Sequence, residues 1–298
     1  MSQQQKSFLY TITAVFFWST AATAFKIALK EFNSNQLLFI SSFTSFLIFL
    51  FVALFNNKAG LLESFQLKYL TKNLLIGLFN PFLYYIILFN AYSILPAQEA
   101  LILNFTWPVT VSIFAIIFLK SKFSLKTLLG IITSFFGVLI IATKGQLLSL
   151  KFENPFGVLL AVGSSLIWAS YWIFNLKDKR PATVKLFFAF FSGTIYTAIY
   201  IHFFDTFKFT WSAGLNSSIY IGFFEMGLTY LFWLKGISLS NNKPLTSTYA
   251  FLAPFLSLMF ISILLNESIT AASIFGLLFI FCGIIIQKYP DLRKYIKI

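Results

Sequence analysis

An all-α membrane protein of ten transmembrane helices, built as two five-helix halves of opposite orientation, is the architecture this sequence predicts. Three observations carry it. The 298-residue chain is 58% hydrophobic and 10% charged, where soluble domains are about 45–50% apolar and about 25% charged. Ten apolar runs follow one another, each close to the roughly 20 residues a helix needs to cross the hydrocarbon core. The second half of the chain repeats the first at a nearly constant offset. Long unbroken apolar runs also exclude a membrane β-barrel, whose strands alternate apolar and polar residues.

The runs fall near 8–29, 36–55, 70–91, 98–119, 127–143, 156–175, 183–204, 214–238, 244–265 and 271–287, joined by short stretches rich in Asn, Lys, Ser and Pro. The first run carries Trp18 and Lys26. It is longer than the apolar part of a signal peptide and lacks a small-residue cleavage site, so it is expected to be retained. The second and third runs are read from length and apolarity. The fourth opens with Glu99 and holds Asn104, Trp107 and Pro108; the fifth contributes Gly130 and Gly137. Trp168, Trp172 and Asn175 mark the sixth, His202 the seventh, and Glu225, Tyr230, Trp233 and Lys235 the eighth. Pro254 lies in the ninth, and Gly276, Cys282 and Gly283 lie in the tenth.

Charge sets the orientation. With the N-terminus in the cytoplasm, sixteen basic residues fall inside: Lys6, Lys58, Lys68, Lys72, Lys120, Lys122, Lys126, Lys177, Lys179, Arg180, Lys185, Lys243, Lys288, Arg293, Lys294 and Lys297. Only Lys30, Lys144, Lys151 and Lys208 fall outside, and Lys26 and Lys235 lie within runs. The positive-inside rule therefore places both termini in the cytoplasm. The net charge of +13 finds its partner in anionic lipid headgroups and calls for no nucleic acid. A single cysteine, Cys282, rules out an internal disulfide and is expected as inert packing. One His and one Cys give no metal-ligating cluster, and no cofactor is expected.

Self-comparison organises the rest. Pro108, Ser124, Gly130 and Gly137-Val138-Leu139-Ile140 recur as Pro254, Thr270, Gly276 and Gly283-Ile284-Ile285-Ile286, 146 positions later. Trp18-Ser19-Thr20 answers Trp168-Ala169-Ser170, and Gly77, Asn80 and Tyr85 answer Gly222, Glu225 and Tyr230. The units are 1–147 and 152–298. Because five is odd, the second enters the membrane from the opposite side, the inverted-repeat plan of secondary transporters, whose solute site lies near the midplane between repeats.

Polar groups inside a span face a cavity or a partner. Glu225, mid-span, is a candidate for a substrate amine, for a coupled proton, or for a structural carboxyl. Lys26 shares a stripe with Trp18 and is a candidate for a substrate carboxylate or for snorkelling to the interface; Lys235 reads as snorkelling. Asn104 with Trp107, Trp168 with Trp172 and Asn175, and Tyr230 with Trp233 form aromatic helix faces suited to a planar ring or an ammonium. Glu99 is expected to cap the fourth helix at its N-terminus. Pro108 and Pro254 are matched mid-helix kinks and candidate hinges. The glycines at seven-residue spacing read as close-packing positions.

The repeat resembles the EamA unit of the drug/metabolite transporter superfamily, with the nearest likeness to bacterial aromatic amino acid exporters of the YddG type. The matching pieces are Ala14-Val15-Phe16-Phe17-Trp18-Ser19-Thr20, Gln98-Glu99, Asn104-Phe105-Thr106-Trp107-Pro108, Leu166-Ile167-Trp168-Ala169-Ser170-Tyr171, Gly227, Tyr230, Trp233 and Pro254. The resemblance implies a multi-pass protein of the bacterial inner membrane, exporting an aromatic or amphipathic amino acid by alternating access, as a monomer or homodimer. Trp107, Trp168 and Tyr230 would enclose the ring, Asn104 would hydrogen-bond the solute, and Glu225 would meet its amine or carry a coupled proton. Two departures stand out: Phe105-Thr106 where such exporters read Tyr-Leu, and Glu225 itself. The alternative is a carrier of organic cations such as quaternary amines; a channel or scaffold is the reading outside carriers. Intramembrane catalysis needs a denser set of His, Asp or Ser than this chain offers.

Overall fold

The computed structural model describes residues 1–56, 58–120, 124–147, 153–206, 211–242, 246 and 248–293. Lys122, Lys151, Lys208, Lys243, Lys294 and Lys297 lie outside the described residues. Among those described, all regular structure is helical: α1 Gln3–Ala28, α2 Ser34–Asn56, α3 Lys58–Glu63, α4 Leu67–Gly77, α5 Tyr84–Ile94, α6 Ala97–Asn104, α7 Trp107–Leu119, α8 Leu125–Ala142, α9 Pro155–Lys177, α10 Ala182–Phe204, α11 Ala213–Tyr220, α12 Thr229–Leu239, α13 Ala253–Leu265 and α14 Ala271–Arg293. Among the described residues, eight helical stretches are long and apolar enough to cross a membrane. Of the other two expected runs, 214–238 falls on α11 and α12 with the wide-turn segment Ile221–Leu228 between them. The last falls on the shorter apolar helix Ala271–Gln287.

Local chemistry starts and stops these helices. Ser2, Ser124, Asn154 and Ser212 accept at their side chains from backbone N–H groups of the first turn, as N-caps do. Lys120 and Asn266, 146 positions apart, both end their helices in the left-handed region, at φ 53 and 52. Burial along residues 11–20 recurs residue for residue along 161–170, which carries the repeat from sequence into packing.

Four of the expected runs are interrupted where a regular helix was expected. Between α4 and α5, Leu78–Leu83 widens around Asn80 (φ −144, ψ 120) and Pro81. Ile221–Leu228 does the same at the repeat-equivalent place around Glu225. The fourth span breaks at Phe105–Thr106, so Pro108 stands in the first turn of α7, and Pro254 stands in the first turn of α13 behind the 3₁₀ segment Thr248–Leu252. This corrects the expectation of mid-helix kinks: a first-turn proline lacks an N–H that would be unpaired anyway.

The two halves interleave. α1 packs on α12 and α13 of the second half, and α9 packs on α5 and α7 of the first. α2 lies along α10, with Phe49 against Phe190 at 5.2 Å between ring centroids. α8 lies along α14. There the glycines bring backbones together: a Cβ on Gly137 would meet the Gly276 carbonyl oxygen at 2.6 Å, and one on Gly130 would meet that of Gly283 at 2.5 Å. Hydroxyls fasten other crossings, Ser45 to the Gly222 carbonyl (2.7 Å), Ser192 to that of Asn73 (2.8 Å) and Ser7 to that of Gly236 (2.7 Å). The outward surface is apolar, with Phe51, Phe55, Ile132, Phe135, Phe275 and Ile285 exposed. Cys282 is exposed on it too, so it is not the packing residue expected.

The expected cap of the fourth run is also corrected. Glu99 does not cap α6; its carboxylate faces Lys144 at 3.8 Å. The cap comes from Glu267, which accepts from the N–H groups of Ala97 (2.9 Å) and Gln98 (3.2 Å). Gln98 adds a double clasp, donating to the Ser268 carbonyl and accepting from the Thr270 N–H, both at 2.9 Å.

Candidate functional site

The interrupted third and eighth runs bring Asn80 and Glu225 to buried positions. A widened turn leaves room for groups that a regular helix turns away, and broken spans are tolerated where protein surrounds them. Glu225 is buried on Ile221–Leu228, and its Oε1 accepts from the Tyr85 hydroxyl at 2.9 Å. Its Oε2 is buried and meets no hydrogen-bond partner. The Tyr84, Tyr92 and Tyr230 rings lie within electrostatic reach of this carboxyl. Among the described residues no cation forms an ion pair with it.

An aromatic wall runs from this carboxyl. Tyr85 meets Tyr84 edge-on at 4.7 Å, and Tyr84 meets Trp168 at 4.7 Å. Trp168 stacks on Tyr171 at 5.4 Å and touches Trp172 at 6.3 Å and Tyr230 at 6.5 Å. Tyr230 meets Trp18 at 6.3 Å, and Trp18 meets Trp233 at 5.1 Å. Asn104 accepts from the Tyr84 hydroxyl at 3.2 Å and donates to Ser164 at 2.8 Å. The predicted Trp18, Trp168, Trp172, Tyr230, Trp233, Asn104 and Glu225 are thus brought into one group. Tyrosine and tryptophan faces of this kind attract cations.

Trp107, Lys26 and the two prolines stand apart from this group, as does Lys235. Trp107 pairs with Phe105 at 6.2 Å, and Phe105 stacks on Phe281. Among the described residues no ring contact joins Trp107 to Trp168 or Tyr230. Lys26 donates to the backbone carbonyls of Tyr92 (2.7 Å) and Leu95 (2.8 Å), where a cation meets the negative end of α5. It also lines a cavity of about 310 Å³ with Lys30, Tyr92, Ser93 and Glu267. Lys235 is exposed. Pro108 is buried at the start of α7, as Pro254 is in α13.

The sequence reading passed over Tyr84, Tyr171 and Asn80 as site residues. Asn80 is fully buried and keeps both amide atoms outside hydrogen-bond geometry, with the Tyr171 hydroxyl alongside. The signal for it was the repeat, which equates Asn80 with Glu225. Outside the spans, Asp178 and Arg180 form a buried pair at 2.6 Å, and Arg180 donates to Asn73 Oδ1 at 2.6 Å. Burial pushes the Asp178 carboxyl up, but the Arg180 hydrogen bonds outweigh it and hold the group below its usual range.

A model of the EamA-like transporter family matches residues 5–143 and 155–287. The uncharacterized transporter YoaV of Bacillus subtilis is 24% identical over 97% of this chain and 99% of its own. YvbV of the same organism, also described as an uncharacterized transporter, is 27% identical over 71% of this chain and 69% of its own. An uncharacterized transporter of Archaeoglobus fulgidus is 24% identical over 94% and 98%. A crystal structure of 18% identity superposes over 97% of this chain and 98% of that one with a TM-score of 0.67, a likeness of fold.

Proposed function

The chain belongs to the EamA-like transporter family, and from that premise we propose that it moves a small organic solute bearing an ammonium group by alternating access. It is a multi-pass membrane transporter and not an enzyme. In our reading the ten runs all cross the membrane, both termini are cytoplasmic, and the repeats are 1–147 and 152–298. The membrane is the bacterial plasma membrane, and the direction is export.

One observation supports the solute class above the others: buried Glu225 offers an unpartnered Oε2 beside a wall of Tyr and Trp rings. A carboxylate at such depth costs about 2.5–3.5 kcal/mol unless compensated, and a solute ammonium would compensate it. Tyr85 orients the carboxyl, Tyr84, Trp168 and Tyr230 receive the solute's apolar body, and Asn104 positions Tyr84. An amphipathic amino acid suits this set and agrees with the exporters that the chain resembles. The same carboxyl and rings also suit an organic cation, the second reading. When no solute is bound, a proton on Glu225 would serve the same compensation.

Counterflow in proteoliposomes tests this. Vesicles preloaded with phenylalanine, tryptophan or choline are compared for wild type, Glu225→Gln and Trp168→Ala. We expect exchange of at least one amine-bearing solute, lowered about tenfold or more by either substitution, as for loss of a charge-assisted contact worth about 1.5–3 kcal/mol. Exchange driven by choline alone would favour the cation reading. Full exchange by Glu225→Gln would remove the carboxyl from the mechanism.

A further inference from the structure

The buried polar atoms without partners include the hydroxyls of Thr23, Ser42, Thr229 and Ser257 and the Gln287 amide nitrogen. Four others, Asn80 Oδ1 and Nδ2, Trp172 Nε1 and Glu225 Oε2, belong to residues joined to Trp168 directly or through Tyr84, Tyr85 and Tyr171. Buried polar atoms in native proteins are normally hydrogen-bonded, so a cluster of exceptions calls for an occupant. One branch of contacts from Trp168, through Tyr84 and Tyr85, leads to a carboxylate oxygen, an acceptor. A second branch, the donor flank, leads to N–H groups with the Asn80 Oδ1 acceptor beside them: Trp172 lies edge-on to both Trp168 (6.3 Å) and Tyr171 (6.5 Å), and Asn80 lies against the Tyr171 hydroxyl.

The charge behind the donor flank has the matching sign. Asn175 also adjoins the Tyr171 hydroxyl. Its side-chain and backbone oxygens accept from the Lys185 ammonium, at 2.5 and 3.2 Å. Lys185 also donates to the Asp178 carbonyl at 3.1 Å, while the Asp178 carboxylate is paired with Arg180. A cation standing behind neutral N–H donors favours a negative group in front of them. The wall is therefore polar at two places of opposite preference, with rings between.

We propose that Asn80 and Trp172 form a second subsite that takes the carboxylate of the transported solute. This rests on the reading in which Glu225 takes its ammonium, and it makes the solute class zwitterionic rather than simply cationic. Asn80 Nδ2 and Trp172 Nε1 donate to the carboxylate oxygens, and the Tyr171 hydroxyl completes the cradle. Asn80 reaches this place because Leu78–Leu83 departs from regular helix there, as Ile221–Leu228 does to present Glu225. The repeat has supplied an acceptor in one copy and a donor in the other.

The test compares phenylalanine with phenethylamine, which keeps ring and amine but lacks the carboxylate. Each is offered in counterflow to wild type, Asn80→Ala, Trp172→Phe and Glu225→Gln. Trp172→Phe keeps one aromatic ring while removing the N–H with the rest of the indole, so it offers a second route to the same loss should Asn80→Ala misfold; melting of each purified variant is recorded alongside. Wild type should prefer phenylalanine. The preference ratio of phenylalanine over phenethylamine should fall about tenfold in Asn80→Ala and in Trp172→Phe. Glu225→Gln should depress both solutes and leave the ratio within about threefold. A ratio unchanged in folded Asn80→Ala and Trp172→Phe would overturn the subsite, mean that water alone fills it, and leave the Glu225 reading standing. Failure of wild type to exchange either solute would overturn the Glu225 reading, and the subsite with it.

Discussion

Each charged side chain of the bundle interior has been given a job that its position in the sequence does not announce. Lys26 holds two carbonyls at the end of α5, a role fixed by where another helix stops. Glu267 caps α6 from 170 residues away, while Glu99, which sits in that first turn, turns to Lys144. A local reading assigns caps to local residues, and here the cap is tertiary. Glu225 was legible because a carboxylate in an apolar run is conspicuous, whereas the need of Asn80 shows only when its neighbours are in place. At the surface end, the Asp178–Arg180 pair yields a pH prediction. A carboxyl held below its usual range contributes stability above the unfolded-state value, and loses it as pH falls through the folded one. The wild-type protein should lose melting temperature below about pH 4, and Asp178→Asn should lose less over that range. At neutral pH the same variant should be less stable by about 1–3 kcal/mol, because Arg180 loses its counter-charge and keeps only neutral partners such as Asn73. Thermal melting in detergent from pH 3 to 8 reads both.

At the scale of the element, apolar periodicity predicted the runs and missed their interruptions. Nothing in the hydropathy of Phe105-Thr106 marks a break, yet the helix restarts at Trp107, and the proline that suggested a kink turns out to start a helix. The widened turn at Ile221–Leu228 carries no proline at all, so its signal lay only in the repeat with Asn80-Pro81. The glycines were legible for the opposite reason. Seven-residue spacing in two runs has few uses besides close helix contact, and α8 and α14 make that contact. Gly137→Leu should therefore destabilise the protein by about 1–3 kcal/mol or more, as overpacking does. Phe135, exposed on the same helix, provides a control as Phe135→Leu. Melting of the two variants separates them; equal loss would mean that the seam tolerates bulk.

Across the whole molecule, each half contributes helices that the other needs. α1 finds its packing in the second half and α9 in the first, so the two repeats do not form separate bodies side by side. On the proposed alternating-access cycle, the end carrying Glu267 would open only on release of the Glu267 hydrogen bonds to Ala97 and Gln98 and the two Gln98 bonds to 268–270. Glu267→Ala should favour that opening. A cysteine at Ala100, fully buried in α6, placed in a Cys282→Ala background, should then react with an aqueous maleimide several-fold faster than with Glu267 present; an equal rate would show that the clasp does not hold this end.

The glycine seam has a further consequence for measurement. Helices whose backbones touch cannot slide or tilt without collision, so α8 and α14 serve as the fixed ruler against which the other spans are read. Spin labels on these two helices should report one unchanging separation in every condition. Labels bridging α6 and the 268–270 segment should report two, with solute shifting the balance between them.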